Sequence, residues 1–473
     1  MLYYEKNTIR DEAMKIWVKK HSEILSLACI AIIMYLFWLF PFLSYRDILS
    51  SSIRKPMEII ILIASGLSSA LLTYFKKSSY WLLVFVAFIP FVFAHPFDAN
   101  TVPWALYVAG GLAILGVIAT MIRMRLKWKI GPFFFGLVAL GASCLLGGFG
   151  KWEYYFWPQL VIVFFVVGGI LFLYIFLSSM PHISVRKFAW IMVALGLFIS
   201  LQSATYWLSS ANIKEALLTK HLTAGWGISN NIAVILLLLI PFLFYFMLQF
   251  RKWKSILFMI LAVGEMGVIG LSYSRGGIVA MVVMAISAYI YCAIKTKEKK
   301  WYFISSISIL LIFAILFIIF RFCYPGAFKR MIDLLFSRLD GLNGRIPIYK
   351  AFLRAMKKNF MFGNGLFGPF YFSVDVGQGA YQWGHDTLLH TFYTLGLTGI
   401  LAIFYHFYEK YMYLWKTRKS IFSVMVFLSF FGSGLYGLID ISYFFINYMV
   451  LLILILAILP NQEKEMETCE SSF

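Results

Sequence analysis

The chain has 473 residues, of which 62% are hydrophobic and only 13% charged. A soluble fold of this length could not bury that much apolar side chain, so composition excludes an ordinary water-soluble enzyme. The formal net charge of +20 would point to nucleic acid in a soluble chain, but here it reads as loop lysines and arginines that orient membrane helices, with no nucleic-acid partner.

The first apolar run begins near Ile24. It is long enough to span a bilayer and has no small-residue cleavage pattern after it, so it reads as a retained helix rather than a signal peptide. Apolar runs then recur along the whole chain and predict about fourteen spans. They lie near 24–43, 57–75, 80–95, 104–122, 131–149, 158–180, 188–203, 230–250, 255–273, 276–294, 302–320, 387–407, 420–438 and 443–460. The fold class is an all-α polytopic membrane protein, one integral domain over 1–473 with no soluble domain.

Charge orients these spans. With a cytoplasmic N-terminus, the inner segments hold 25 of the 41 Lys and Arg, the short outer loops hold 7, and a long loop at 321–386 holds 9. The alternation of rich and poor loops follows the positive-inside rule and puts both termini in the cytoplasm, including a polar tail at 461–473. The five cysteines, at 29, 144, 292, 323 and 469, form no CxxC and no Cys/His cluster. Neither a disulfide framework nor a metal site is expected.

Two outer segments exceed turn length, 204–229 and 321–386, and long loops in compact proteins are usually functional or disordered. The second is too aromatic and too glycine-punctuated for disorder. Within it, "GRIPIYKAFLRAMKKNF" sets Ile348, Phe352, Met356 and Phe360 at helical spacing, with Pro347 near the start. This predicts an amphipathic helix at the outer interface.

Arg275 falls in the outer turn between the ninth and tenth spans, in "LSYSRGG". An arginine at a helix end can simply snorkel to the head groups. Against that, the outer side is disfavoured for positive charge, and Gly276 and Gly277 let a backbone or ligand approach closely. In the long loop Arg345 opens the amphipathic helix, either as a solvated cation or as an anion ligand. "FGNGLFGPF" follows at 362–370, and "QWGHDTLLHTFYTLGLTGI" then puts His385 at the mouth of the twelfth span. Histidine suits proton transfer near neutral pH. His390 lies deeper and off that face.

The order of these features resembles the bacterial O-antigen ligase and polysaccharide polymerase superfamily. An S-R-G-G turn precedes a long outer loop holding G-R-x-x-x-Y-x-A and G-N-G-L-F-G-x-F. A histidine then enters a helix containing G-L-T-G. The resemblance covers about residues 270–405 in its motifs. It implies transfer of a glycan from polyprenyl (undecaprenyl) pyrophosphate to a glycan or lipid-linked acceptor hydroxyl. The transfer would occur on the outer face of the bacterial inner membrane. It further implies that Arg275 and Arg345 bind the donor pyrophosphate and that His385 activates the acceptor. Asp386, where relatives often carry Asn or Ser, would either support the imidazole or cap the following helix.

That chemistry fits the residues. Two guanidiniums can stabilise the pyrophosphate leaving group, so neither a metal nor any other cofactor is expected. Trp207, Trp226, Tyr371, Tyr381 and Trp383 are candidates for stacking on sugars, or for interfacial anchoring. Polymerisation of lipid-linked repeat units is preferred, with ligation of finished glycan to a lipid core as the alternative. A transporter or flippase is the third reading, supported only by Glu265 within the ninth span.

Overall fold

The computed structural model describes residues 22–40, 42–43, 79–92, 125–149, 163–180, 183–218, 222–224, 227–336, 341–366, 374–375, 380–381 and 384–463, with scattered positions between 56 and 161. Backbone alone is described at some of these. Every expected span has its helix except those at 57–75 and 104–122, which lie outside the described residues apart from isolated positions. The N-terminal 21 residues and the tail from 464 also lie outside them.

In chain order the helices are α1 (Ser22–Phe40), α2 (Ser79–Val92), α3 (Phe134–Leu146), a π-turn (Val163–Val167) running into α4 (Gly168–Ser179), and α5 (Val185–Leu208). A short α6 (Ile213–Leu217) follows, then α7 (Ser229–Gln249), α8 (Trp253–Leu271), α9 (Arg275–Lys295) and α10 (Lys299–Cys323). Next come α11 (Pro325–Phe336), α12 (Gly341–Met356), α13 (Thr387–Lys416), α14 (Ile421–Gly437) and α15 (Ile446–Ile458). Two tiny antiparallel ladders complete the described elements: β1 (Thr223–Ala224) with β2 (Gly227–Ile228), and β3 (Val374–Asp375) with β4 (Ala380–Tyr381). Among the described residues, seven helices are long and apolar enough to cross a membrane.

Burial separates centre from periphery. The most apolar stretch of α7 is 89% buried, against 28% for α9. α7 is apolar on every side and is enclosed by α5, α8, α9 and α14. Helix α9 instead exposes Val279, Val282, Ile286 and Ile290. On a soluble protein such a stripe would be an aggregation face, and here it is the surface a lipid tail would wet.

Three differences from the sequence reading have physical causes. The span expected at 188–203 is the 24-residue α5, because Trp207 and neighbouring side chains bury beyond the apolar run. Helix α12 begins at Gly341, so Pro347 lies inside it rather than at its start. As the seventh residue of the helix it lies past the first turn and removes the bond its N–H would make to the carbonyl four residues back. The amphipathic face of α12 is not laid on an interface: Ile348, Phe352 and Met356 pack on Tyr393 of α13, while Phe360 stays exposed beyond the helix end. The long loop also contains α11, unassigned from sequence although Pro325 stands at its favoured first position.

Helix α13 positions the site. It is broken at Gly396, whose φ is +67°. The segment 359–366 crosses the break and satisfies backbone groups there: Leu397 N–H donates to the Phe360 carbonyl at 2.9 Å, and Asn364 N–H to the Tyr393 carbonyl at 2.8 Å. Gly363 (φ +65°) would put a Cβ 2.5 Å from the Thr394 backbone, so this crossing needs glycine on both strands of chain. On a straight helix Thr387 and Lys410 would stand roughly 35 Å apart; with the break they line one cavity.

Candidate active site

Asp440 is the centre of the site. It follows α14 in a tight turn and is 5% exposed. Its Oδ2 accepts from Asn230 Nδ2 at 2.7 Å and from the Tyr436 hydroxyl at 3.3 Å. Its Oδ1 accepts from the Ile441 backbone N–H at 2.9 Å. His385 Nδ1 stands 3.4 Å from Oδ1, and Arg345 Nη2 3.7 Å from Oδ2. Burial raises the Asp440 carboxyl, but His385, Arg345 and the Ile441 N–H outweigh it and hold it below the usual carboxylate value.

Five chain segments converge to make this arrangement. The start of α7 supplies Asn230, α12 supplies Arg345 and Tyr349, the α13 entry supplies His385, and the end of α14 supplies Tyr436. The start of α9, headed by Arg275, packs onto the same turn. A Cβ on Gly276 would come 2.7 Å from Ile439, and one on Gly277 2.6 Å from Ala233 of α7. The two glycines thus seat the half-buried Arg275 beside the Asp440 turn.

His385 sits in the left-handed backbone region, φ +48°. Such a conformation costs a non-glycine residue about 1–3 kcal/mol and persists only when its surroundings enforce it. They do: the Tyr349 hydroxyl donates to the His385 carbonyl at 3.1 Å, and Gly384 N–H donates to His390 Nδ1 at 3.3 Å. His390 is therefore a buried buttress behind the His385 turn. Burial raises the Tyr349 phenol, and Arg345 opposes that.

Of the two roles open for Asp386, the structure displays the cap. Its Oδ1 accepts from Leu389 N–H at 2.7 Å at the start of α13. Burial raises its carboxyl, while the Leu389 and Leu388 N–H groups and Arg345 pull the other way. The carboxylate facing the imidazole is Asp440. Arg345 Nη1 is buried without a hydrogen bond, so a donor at this site is left for a ligand.

Asp440, Asn230 and Tyr436 escaped the sequence reading, and Tyr349 entered it only as the tyrosine of the G-R-x-x-x-Y-x-A motif, without a role. One signal was present: Asp440 is the sole acidic residue between Ile421 and Gln462. Of the proposed sugar-stacking residues, Trp207 is buried in α5. Trp226, Tyr371 and Trp383 lie outside the described residues, and Tyr381 is described in backbone only. Glu265 does not join the cluster; it lies against Gly196 of α5, and neither carboxylate oxygen has a hydrogen-bond partner among the described residues. Nor do any three His, Cys, Asp or Glu side chains among them gather as a metal site would require.

Residues 258–404 match the model of the family described as O-Antigen ligase. Over that segment the similarity supports the resemblance to the O-antigen ligase and polymerase superfamily. The O-antigen ligase match covers about a third of the chain and includes Arg275, Arg345 and His385. It leaves out Asn230 and Asp440. The family match and the apolar helices point to a multi-pass bacterial membrane protein, and the match indicates ligase- or polymerase-type activity. No curated protein matches the chain.

Proposed function

We propose that the protein transfers a glycan from a polyprenyl pyrophosphate carrier to an acceptor hydroxyl, at the outer face of the bacterial inner membrane. Polymerisation of lipid-linked repeat units is the preferred form of the reaction. The observation that carries the reading is the convergence of His385 and Arg345 on the one buried carboxylate of Asp440.

With Nδ1 turned to Asp440, the imidazole keeps its proton on that nitrogen and offers Nε2 as acceptor. Nε2 takes the proton of the acceptor hydroxyl as its oxygen bonds to the anomeric carbon of the donor sugar. The bond from that carbon to the pyrophosphate oxygen breaks in the same displacement, and the electron pair leaves with the polyprenyl pyrophosphate. Arg345 and Arg275 stabilise the growing negative charge with bidentate hydrogen bonds. Asp440 stabilises the imidazolium that results. Arginines and the imidazole together meet the charge demands of every step, so the chemistry asks for no metal.

Purified protein given a lipid-linked repeat unit alone should build a ladder of products. No ladder until a lipid-core acceptor is added would instead support ligation, the activity in the matching family's description. Neither product in either arm would overturn glycan transfer. EDTA should leave the rate unchanged, and its loss with rescue by a divalent cation would contradict the arginine-based account.

A further inference from the structure

Lys410 counts as an inner loop cation when read from sequence, yet α13 runs on to Lys416 and buries it to 2% exposure. Four rings surround its ammonium: Phe430 at 4.5 Å, Phe407 at 4.7 Å, Tyr411 at 5.0 Å and Tyr443 at 5.6 Å to the ring centres. It makes one hydrogen bond, to the Tyr443 hydroxyl at 2.9 Å, and no carboxylate pairs with it among the described residues. Two of its three N–H donors have no hydrogen-bond acceptor there. A buried cation without a counter-ion is costly even inside an aromatic cage, and within a membrane protein it marks a functional site by default.

The cage opens on a cavity of about 230 Å³. Lys410 and Tyr443 line one part of it, and Thr387, Gly437 and Ser442 another. The Thr387 hydroxyl donates to the Asp440 carbonyl at 3.0 Å, so the cavity begins at the turn that carries the site. Ser442 Oγ is a second polar atom there, buried and without a hydrogen bond. Phe431, Tyr443 and Tyr448 add aromatic faces to the wall. A cation with spare donors, a free hydroxyl and aromatic faces are together suited to a sugar ring that bears a carboxylate. The donor pyrophosphate is not the anion required, since it is assigned to Arg275 and Arg345, and neither lines this cavity.

We infer that this cavity is a subsite for an acidic sugar, with Lys410 binding the sugar's carboxylate. The glycan handled by the protein then carries a uronic-acid-type unit next to the sugar that reacts. The ligand class rests on the glycan-transfer reading, but binding can be measured without turnover.

The test titrates purified protein with glucuronate, and with glucose, chloride and inorganic phosphate at matched ionic strength, following tryptophan fluorescence. Glucuronate should bind at least about tenfold more tightly than glucose, the discrimination one charge-assisted hydrogen bond supports. Lys410→Met should remove that preference. Ser442→Ala and Tyr443→Phe, which spare the lysine, should each weaken glucuronate alone, and they keep the test decisive if Lys410→Met does not fold. His385→Ala should bind glucuronate as the wild type does while losing transfer, which separates failure of the subsite from failure of the transfer reading. Equal binding of glucose and glucuronate, equal binding of phosphate, or an unchanged preference in all three cavity variants would overturn the inference.

Discussion

Among the described residues two carboxylates are buried, Asp440 and Glu265, and their surroundings are opposite. Asp440 faces Asn230, Tyr436, the Ile441 N–H, Arg345 and His385. Glu265 faces a glycine, with no hydrogen-bond partner among the described residues. Burying a charge is costly unless donors and counter-charges compensate it. Asp440 has that compensation and can work as an anion; Glu265 lacks it and packs against Gly196 of α5. The contrast suits Asp440 to the proposed chemistry and Glu265 to packing without reference to any family, and it can be broken experimentally.

The largest effect should come from His385→Ala. A general base contributes about 10²–10⁴ in rate, so transfer should fall at least about 100-fold while the protein remains in the membrane; near-wild-type rates would remove His385 from the mechanism. Asp440→Asn keeps the shape but removes the anion that the Arg345 guanidinium and the His385 imidazole share. Loss of one buried partner costs about 3–5 kcal/mol, read as a lower unfolding temperature together with reduced turnover.

That same variant carries a pH signature. The Asp440 carboxyl is held below its ordinary value in the fold, so its stabilising charge is fully present above the unfolded value, about 3.9. It is lost as pH falls through the lower folded value. The stability gap between wild type and Asp440→Asn should be constant above that pH and close only below it. A gap that closes between pH 5 and 7 would contradict the assignment.

Smaller changes sharpen the contrast. Arg345→Lys preserves charge but not the planar fork, so transfer should drop roughly tenfold or more if the contact is bidentate; full activity would favour a point charge. At Asp386, Asn keeps the cap acceptor and should be nearly silent, whereas Ala should cost about 1 kcal/mol of stability. Glu265→Gln should change transfer least of all, because nothing in its surroundings depends on a charge. A large loss there would erase the distinction between the two carboxylates and revive the transport reading.

The positions of the helices were legible in sequence because twenty-residue apolar runs leave few alternatives in a bilayer. Order and spacing singled out Arg275, Arg345 and His385, of which the structure brings Arg345 and His385 onto Asp440, and the Asp386 cap was legible from its place before an apolar run. Asp440 was not, although it interrupts an otherwise uncharged stretch; its partners come from α7, α12 and α13, and no local pattern predicts that convergence. Lys410 was misplaced for a related reason. Hydropathy ends a span where charge begins, whereas the fold continues α13 and cages the charge in rings contributed by α14 and by Tyr443. The break at Gly396, which brings Thr387 and Lys410 onto one cavity, is a single backbone angle that periodicity cannot register.

The most direct test of the central claim is a double-mutant cycle on initial transfer rates with a lipid-linked repeat unit, using His385→Ala, Asp440→Asn and their combination in purified, reconstituted protein. If the imidazole and the carboxylate act as one unit, the double variant should be no slower than the slower single variant. Multiplying losses, or a His385→Ala protein that still transfers glycan at the wild-type rate, would contradict the account.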